Sequence, residues 1–417
     1  MAIPLARPNP PRLSEAGPLL RAIEDRGVFS NFGPVNTEFE GEMLGRMFGG
    51  EGACMTVCNA TIGLMLAIQN AIGTRPTGRR YALMPSFTFA AAAHAALWCG
   101  LTPLFCDIDR EDWSAAPAAE EAMRRRYHED IAVVVPYATF GYDIDLGRYE
   151  ALSRRHGVPV VVDAAASLGT VQADGRGFGA GFRGTVVYSM HATKSFATGE
   201  GGLIYSADHS IVQDLRTMCN FGFGRPRNAT MAGLNGKLSE VGALLAKLRL
   251  SDYDEVMDRR AGLVQLYRQQ LPELTFQHQQ PMRQAHQFAS ALLPPALAGR
   301  RATIQAGMAA EGIGSGAYFS PHLAEQDYFI EHGLSGPLPV TASVASRILS
   351  LPLYDAMEPR DVETVVASLR RQMALARPIR AVTRSRLFGK LSKLPAGAGL
   401  GPQVAAHALT VSREGTV

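Results

Sequence analysis

Residues 131–163 read IAVVVPYATFGYDIDLGRYEALSRRHGVPVVVD, and this stretch decides the fold. Ile131–Pro136 and Val158–Asp163 are continuous apolar runs, which are typical of strands that are buried on both faces. Between them, Leu146–His156 has an amphipathic helical pattern that ends at Gly157. Apolar strands separated by a helix predict a mostly parallel sheet in an α/β layered domain.

The same alternation continues on both sides of this stretch. We predict helices at Thr61–Ile72, Ala90–Trp98 and Ala118–Tyr127, and strands at Tyr81–Met84, Pro103–Cys106, Thr185–Ser189 and Leu203–Ser206. From Ser239 the pattern changes to long helices, followed by a smaller α+β region. The predicted organisation is a large α/β domain over residues 1–250, a small α+β domain over residues 251–376 and a basic tail over residues 377–417.

Composition excludes several classes of protein. Of 417 residues, 47% are hydrophobic and 19% are charged, which is enough apolar material for a large core and excludes disorder over most of the chain. A net charge of +3 is too balanced to predict nucleic acid as the main partner. The five cysteines include no CxxC pair, so we expect free thiols, no metal site and a cytoplasmic protein.

Two segments raise the question of a membrane. Tyr81–Cys106 contains no acidic residue, lysine or arginine, but its prolines favour a buried strand, helix and strand over a membrane span. Arg370–Lys393 contains eight lysines and arginines and no acidic residue. It is either a solvated last helix with a flexible end or a basic amphipathic segment that rests on an anionic membrane surface.

Ser189–Gly202, SMHATKSFATGEGG, carries the strongest chemical signal. Small and hydroxyl residues surround Lys194 at the end of a predicted strand. A lysine in such a tight, partly desolvated place has a lowered pKa and becomes nucleophilic toward aldehydes. His191 in the same turn is either a packed turn residue or a catalytic one.

Three further elements have a functional interpretation when they are considered together with this lysine. Asp163 ends an apolar strand, where it is either a helix cap or the carboxylate that keeps a pyridine nitrogen protonated. Thr61 and Ile62 open a helix after Asn59, which is either an ordinary capped helix or a phosphate site. Phe89 is either a core residue or a ring that stacks on a flat heterocycle. In this order, the elements predict a pyridoxal phosphate site.

At these motifs the sequence resembles the DegT/StrS-type sugar aminotransferases, pyridoxal-phosphate enzymes of fold type I, over roughly residues 10–376. The resemblance implies a Schiff-base lysine at Lys194 and a ring-nitrogen partner at Asp163. It implies phosphate contacts from Thr61, Ile62 and Ser189, a ring cover at Phe89, and substrate contacts from His191, Tyr318 and His322. Phe29–Glu40 resembles the opening segment of the family, so residues 1–40 are expected to contribute to the site.

The resemblance also implies a homodimer with shared active sites, because Asn235 matches the family asparagine that reaches the phosphate of the neighbouring subunit. The implied reaction transfers an amino group from L-glutamate to a nucleotide-linked keto sugar, for surface polysaccharide or glycoside biosynthesis. Within the family, the sequence is nearest to enzymes that aminate C4 of a 4-keto-6-deoxyhexose.

Two positions depart from the pattern of the family. Ala166 stands where Gln or His is usual, with Ser167 as its possible substitute, and Ala60 stands where Gly is usual. Other pyridoxal chemistry of the dehydratase type is one alternative, although the related dehydratases carry His in place of Lys194. A catalytically idle regulatory homologue is the other, and Ala166 keeps it open.

Overall fold

A computed structural model describes residues 2–73, 78–278 and 281–377. The chain divides into two units, Met1–Ala376 and Arg377–Val417. The helices of the described residues are α1 (Gly17–Arg26), α2 (Pro34–Phe48), α3 (Ala60–Ile72), α4 (Ala90–Trp98), α5 (Pro117–Tyr127), α6 (Leu146–His156), α7 (His209–Met218), α8 (Glu240–Gln270), α9 (Arg301–Ala310), α10 (Asp327–His332), α11 (Pro339–Arg347) and α12 (Pro359–Ala376).

The strands are short, and most of them lie between helices in the sequence. They are β1 (Ala53–Val57), β2 (Tyr81–Pro85), β3 (Thr102–Cys106), β4 (Ile131–Val134), β5 (Val161–Asp163), β6 (Thr185–Ser189), β7 (Gly202–Ser206), β8 (Thr275–Phe276), β9 (Ala289–Leu292), β10 (Leu334–Ser335) and β11 (Ile348–Leu351).

Two four-stranded sheets, β1-β7-β6-β5 and β10-β3-β2-β4, meet between β4 and β5. Parallel bridges join Val134 to Val160 and Tyr137 to Asp163 across this junction. Within the two sheets β7 runs antiparallel to β1 and β6, and the other pairings are parallel. The α/β fold with a mostly parallel sheet is therefore confirmed.

The sheet is buried on both faces, as the continuous apolar strands predict. Along β2, Leu83 belongs to one core cluster and Ala82 and Met84 belong to the other, because successive side chains of a strand point to opposite faces. Helices α1, α2 and α8 contribute to the first cluster, and α3, α4 and α7 contribute to the second. The layered arrangement leaves the ends of the strands as the accessible edge.

The C-terminal part of Met1–Ala376 has its own sheet and core. Its sheet has the antiparallel order β11-β9-β8, and its core cluster includes residues of α9 and α12. Helix α8 runs without interruption from Glu240 to Gln270 and so crosses the predicted domain boundary after residue 250. One continuous helix therefore contributes to the cores of both parts.

Most predicted elements lie within two residues of the observed ones, and Ala90–Trp98, Leu146–His156 and Thr185–Ser189 match them. The strand predicted at Val158–Asp163 is shorter, since the ladder begins at Val161 and Val160 makes only an isolated bridge. Tyr81–Cys106 forms β2, α4 and β3, which confirms the buried interpretation. In the described part of the chain, no helix is long and apolar enough to cross a bilayer. The predicted membrane contact of the basic tail falls almost entirely outside the described residues.

Candidate active site

The turn between β6 and β7 positions Lys194. Backbone hydrogen bonds close the turn on itself, from the Met190 amide to the Gly201 carbonyl (2.9 Å) and from the Ala192 amide to the Gly199 carbonyl (2.8 Å). The Lys194 amide donates to the His191 carbonyl at 2.9 Å. The backbone that carries the lysine is thus fixed by its neighbours in sequence.

The Lys194 amine lies in a desolvated place. Its Nζ donates to Oε1 of Gln287 at 2.9 Å. Burial lowers the pKa of Lys194 from 10.5 to about 8, and the negative charge of Asp163 partly opposes this shift. A lysine of this pKa has a neutral, nucleophilic fraction of about one tenth at pH 7, far more than an ordinary lysine has.

Asp163 ends β5 at the edge of the sheet where Lys194 lies. Its residue exposure is 2%, and its Oδ1 accepts a hydrogen bond from the Ala165 amide at 3.0 Å. Burial raises the pKa of Asp163 to about 6, while the Ala165 amide and Lys194 oppose the shift. A buried carboxylate with a single hydrogen bond is poorly solvated, so it favours a cationic partner.

The N-terminus of α3 presents unused donors. Asn59 caps the helix, because its Oδ1 accepts from the Ile62 amide at 2.9 Å. The Ile62 amide is thereby occupied, whereas the Ala60 and Thr61 amides donate to no described residue. Two free amides at the positive end of a helix dipole form an anion site.

The cradle around this helix end is closely packed. Gly202 opens β7 opposite Ser189, and a Cβ at Gly202 would lie 3.0 Å from the Ala60 nitrogen. The Gly236 carbonyl accepts a hydrogen bond from the Cys58 amide at 2.6 Å. The segment around residue 236 therefore lies beside the predicted phosphate turn of its own chain.

Ser189 and Asn235 differ in burial. The Ser189 hydroxyl is buried and accepts a hydrogen bond from the His191 amide at 3.2 Å. Asn235 is exposed, and its backbone forms an antiparallel bridge with Asn220. Ser189 thus lies within the fold near Lys194, while Asn235 faces outward.

A group of aromatic rings follows the end of β2. Phe89, which precedes α4, is 59% exposed, and its ring centroid lies 6.4 Å from that of Phe319. Phe319 stacks on Phe140 at 5.5 Å. Next to Phe89, the buried Thr88 hydroxyl has no hydrogen-bond partner among the described residues. The exposed ring of Phe89 provides a surface on which a flat ligand can stack.

Tyr318 and His322 occupy one segment but different surroundings. The Tyr318 ring is partly exposed and stacks on Phe288 at 4.9 Å. His322 is 3% exposed, its Nδ1 is 2.9 Å from the Ser86 hydroxyl, and its Nε2 is 3.3 Å from Glu325. His322 therefore ties the segment to the end of β2, and Tyr318 is the more accessible of the two.

A family model described as the DegT/DnrJ/EryC1/StrS aminotransferase family matches residues 14–370. The chain belongs to this family. Two proteins of Mycobacterium tuberculosis, Protein Rv3402c and Protein MT3510, are each 33% identical over 372 residues, which cover 88% of this chain and 89% of the relative.

Solved structures of similar proteins share the fold. One is a protein from Bacillus cereus ATCC 10987 with 37% identity, a TM-score of 0.84, and coverage of 89% of this chain and 100% of the other. Another is DesI, crystallised in the presence of its TDP-sugar product, with 30% identity, a TM-score of 0.79, and coverage of 94% and 96%. The protein is a pyridoxal-phosphate-dependent aminotransferase of fold type I.

The residues present fit pyridoxal phosphate. The free amides of Ala60 and Thr61 suit its phosphate, the buried carboxylate of Asp163 suits a protonated ring nitrogen, and the exposed ring of Phe89 suits its flat face. When bound, the cofactor supplies an electron sink for a carbanion at the amino carbon. These features agree with the cofactor predicted from the sequence.

Sequence reasoning missed Gln287 and Thr88. Gln287 follows Lys194 by ninety-three positions, and only the folded chain shows that the two side chains meet. Thr88 lies beside a residue that the motif did identify, but its unpaired hydroxyl is visible only in the structure. Ala166 and Ser167 are buried, and the Ser167 hydroxyl is 3.5 Å from the Ala138 carbonyl.

Proposed function

We propose that this aminotransferase transfers an amino group from L-glutamate to a keto sugar carried on a nucleotide. The observation that carries the proposal is the pairing of the desolvated Lys194 amine with the buried carboxylate of Asp163, each of which changes the pKa of the other. Family membership supports amino transfer, and the 30% identity with DesI, crystallised with a TDP-sugar product, supports a nucleotide sugar as the substrate.

In this proposal Lys194 bonds covalently to the cofactor aldehyde and moves a proton when its amine is free. A pKa of about 8 leaves about one tenth of the amine neutral at pH 7, which allows it to accept a proton and then return it. Asp163 stays anionic above its pKa of about 6 and pairs with the protonated ring nitrogen. The two residues would then act on opposite ends of the cofactor.

The phosphate contacts in this proposal come from Thr61, Ile62 and Ser189. The free Thr61 amide supports a phosphate contact from Thr61 most directly. The Ile62 amide already donates to Asn59, so Ile62 contributes to the shape of the turn. The exposed side chain of Asn235 is consistent with a contact to the phosphate of a partner subunit. We therefore propose a homodimer with shared sites, in which Asn235→Ala lowers cofactor affinity without changing the reactivity of Lys194.

The substrate contacts are proposed to come from His191, Tyr318 and His322. The accessible Tyr318 supports a direct contact, whereas the burial of His322 supports a role in holding the same segment. The preferred sugar is a 4-keto-6-deoxyhexose that is aminated at C4, for surface polysaccharide or glycoside biosynthesis. Five free thiols accord with the proposed cytoplasmic location.

The test is a screen of keto-sugar nucleotides with L-glutamate, in which the release of 2-oxoglutarate measures turnover. TDP-linked 4-keto-6-deoxyhexose should give the highest kcat/KM, and a 3-keto isomer and a UDP-linked analogue serve as comparisons. Ping-pong kinetics are expected, because glutamate leaves as 2-oxoglutarate before the sugar binds. Glutamate turnover with a non-sugar keto acid but with no keto sugar would contradict the proposed substrate class.

A further inference from the structure

Gln287 is the only described side chain that accepts a hydrogen bond from the Lys194 amine. The donor and acceptor atoms, Nζ and Oε1, are 2.9 Å apart, and Gln287 is 9% exposed. Gln287 lies two residues before β9, in the part of the chain that builds the small sheet. The lysine turn and the C-terminal region therefore meet at this bond.

The backbone at Gln287 is held by a buried ion pair. Arg260 on α8 donates from Nη1 to the carbonyls of His286 (3.2 Å) and Gln287 (3.5 Å). The same guanidinium pairs with Asp355, with Nη2 and Oδ1 at 2.6 Å, and both residues are largely buried. An ion pair buried in this way fixes the position of the segment that carries the glutamine.

The orientation of the Gln287 amide follows from a chain of hydrogen bonds. Its Nε2 donates to the Thr193 hydroxyl at 3.4 Å, and that hydroxyl lies 2.9 Å from Nδ1 of His191. Nδ1 also accepts from the Thr193 amide at 3.3 Å, so this nitrogen carries no proton and the hydroxyl donates to it. With Nε2 committed to Thr193, the oxygen of Gln287 faces Lys194.

We propose that Gln287 is a positioning residue that holds the Lys194 amine at the reaction centre whenever that amine is not bonded to the cofactor. The proposal rests on the role of Lys194 in the proposed function. A neutral amide oxygen accepts from both a protonated and a neutral amine, and it favours the charged form less strongly than a carboxylate does. It therefore restricts the position of the amine without fixing its charge.

This neutrality matters because the free amine exchanges a proton during turnover. A carboxylate at position 287 would favour the charged amine and raise its pKa, opposing the effect of burial. An apolar side chain would leave the amine free to turn among rotamers. Glutamine restricts the position of the amine, and it stabilises the charged form less than a carboxylate would.

The first test uses the cofactor-free protein and needs no sugar substrate. Trinitrobenzenesulfonate labels neutral amines, and peptide mapping gives the labelling rate at Lys194 between pH 6 and pH 10. In Gln287→Glu, the midpoint should move upward by at least about one pH unit. Gln284→Glu is the matched control, since Gln284 is buried three residues earlier and donates to the Phe140 carbonyl instead. An unchanged midpoint in a folded Gln287→Glu protein would overturn the proposal.

The second test separates positioning from structural support. Gln287→Met should lower kcat about tenfold, with KM for glutamate changed less than twofold, because the amine loses its orientation in the reacting complex. Thr193→Val, which removes the partner of Nε2, should lower kcat in the same direction but less. Normal melting temperatures in both variants show that the fold is intact. A wild-type kcat in Gln287→Met would then contradict the proposal. Failure to aminate any keto sugar would contradict the proposed substrate and leave the labelling result unaffected.

Discussion

The site has a closed half and an open half. In the closed half, Asp163 and Gln287 are buried, Gln287 accepts a hydrogen bond from the Lys194 amine, and the charge of Lys194 acts on the pKa of Asp163. In the open half, Phe89 and Asn235 are exposed, and the Thr61 amide has no acceptor among the described residues. The chemistry of proton transfer is therefore built into the fold, whereas the open half presents groups that await the cofactor, the substrate or another subunit.

The largest effect is expected from Lys194→Ala, which removes the reactive group of the closed half. Activity should fall by at least about 10⁴-fold, since covalent attachment and proton transfer are lost together. Turnover is measured by 2-oxoglutarate release, and cofactor attachment by the visible absorbance band. An unchanged melting temperature is the control. Residual activity above one per cent would show that another group performs the proton transfer.

Asp163→Asn should lower kcat by about 10²- to 10³-fold, because the isosteric amide cannot hold the ring nitrogen protonated. Asp143→Asn is the matched control. Asp143 is also buried, and its pKa is likewise raised to about 6, but neighbouring Asp174 affects that pKa and Lys194 does not. Equal losses in the two variants would indicate a general stability effect, and near wild-type turnover in Asp163→Asn would contradict its assigned role.

A pH titration of the cofactor-free protein compares Lys194, whose amine is desolvated, with Lys247, whose amine pairs with a carboxylate. The neutral amine reacts, so labelling rises with pH through each pKa. The midpoint should be about 8 at Lys194, where burial lowers the pKa, and above 10.5 at Lys247, where the carboxylate of Glu38 raises it. At pH 8 Lys194 should therefore react about 10²-fold faster than Lys247. A shared midpoint would remove the distinction between the closed half and the protein surface.

Gly202→Ala tests the open half and should have the smallest effect. The added methyl would lie 2.8 Å from the Val57 side chain and 3.0 Å from the Ala60 nitrogen, which displaces the phosphate turn. Cofactor affinity should fall by about tenfold, while labelling of Lys194 stays at the wild-type midpoint. Gly262→Ala on α8 has open space around its Cβ and serves as the control. A shift in the Lys194 midpoint would show that the halves are coupled.

The fold was predictable where it depends on local pattern. The apolar runs of β4, β5 and β6 and the helical pattern of α6 appear directly in the sequence, and so do the lysine turn and its carboxylate. The reversed direction of β7 was not predictable, because an apolar run is the same in either direction. Strand β5 is also shorter than its apolar run, because pairing with β6 begins only at Val161.

The candidate site was predictable where a motif is continuous in sequence. The bond between Gln287 and Lys194 joins distant segments, so periodicity and spacing contain no trace of it. The Ile62 amide, which donates to the Asn59 cap, shows a second limit of prediction from sequence. A helix start identifies a group of donors, but only the geometry of the Asn59 cap decides which of them stay free.

Borohydride reduction of the cofactor-loaded protein, followed by peptide mass mapping, tests the central assignment most directly. Reduction converts the bond between the lysine amine and the cofactor aldehyde into a stable one. A single adduct is expected on the peptide that contains Lys194, and none is expected in Lys194→Ala. An adduct on another lysine, or a loaded protein with no adduct at position 194, would contradict it.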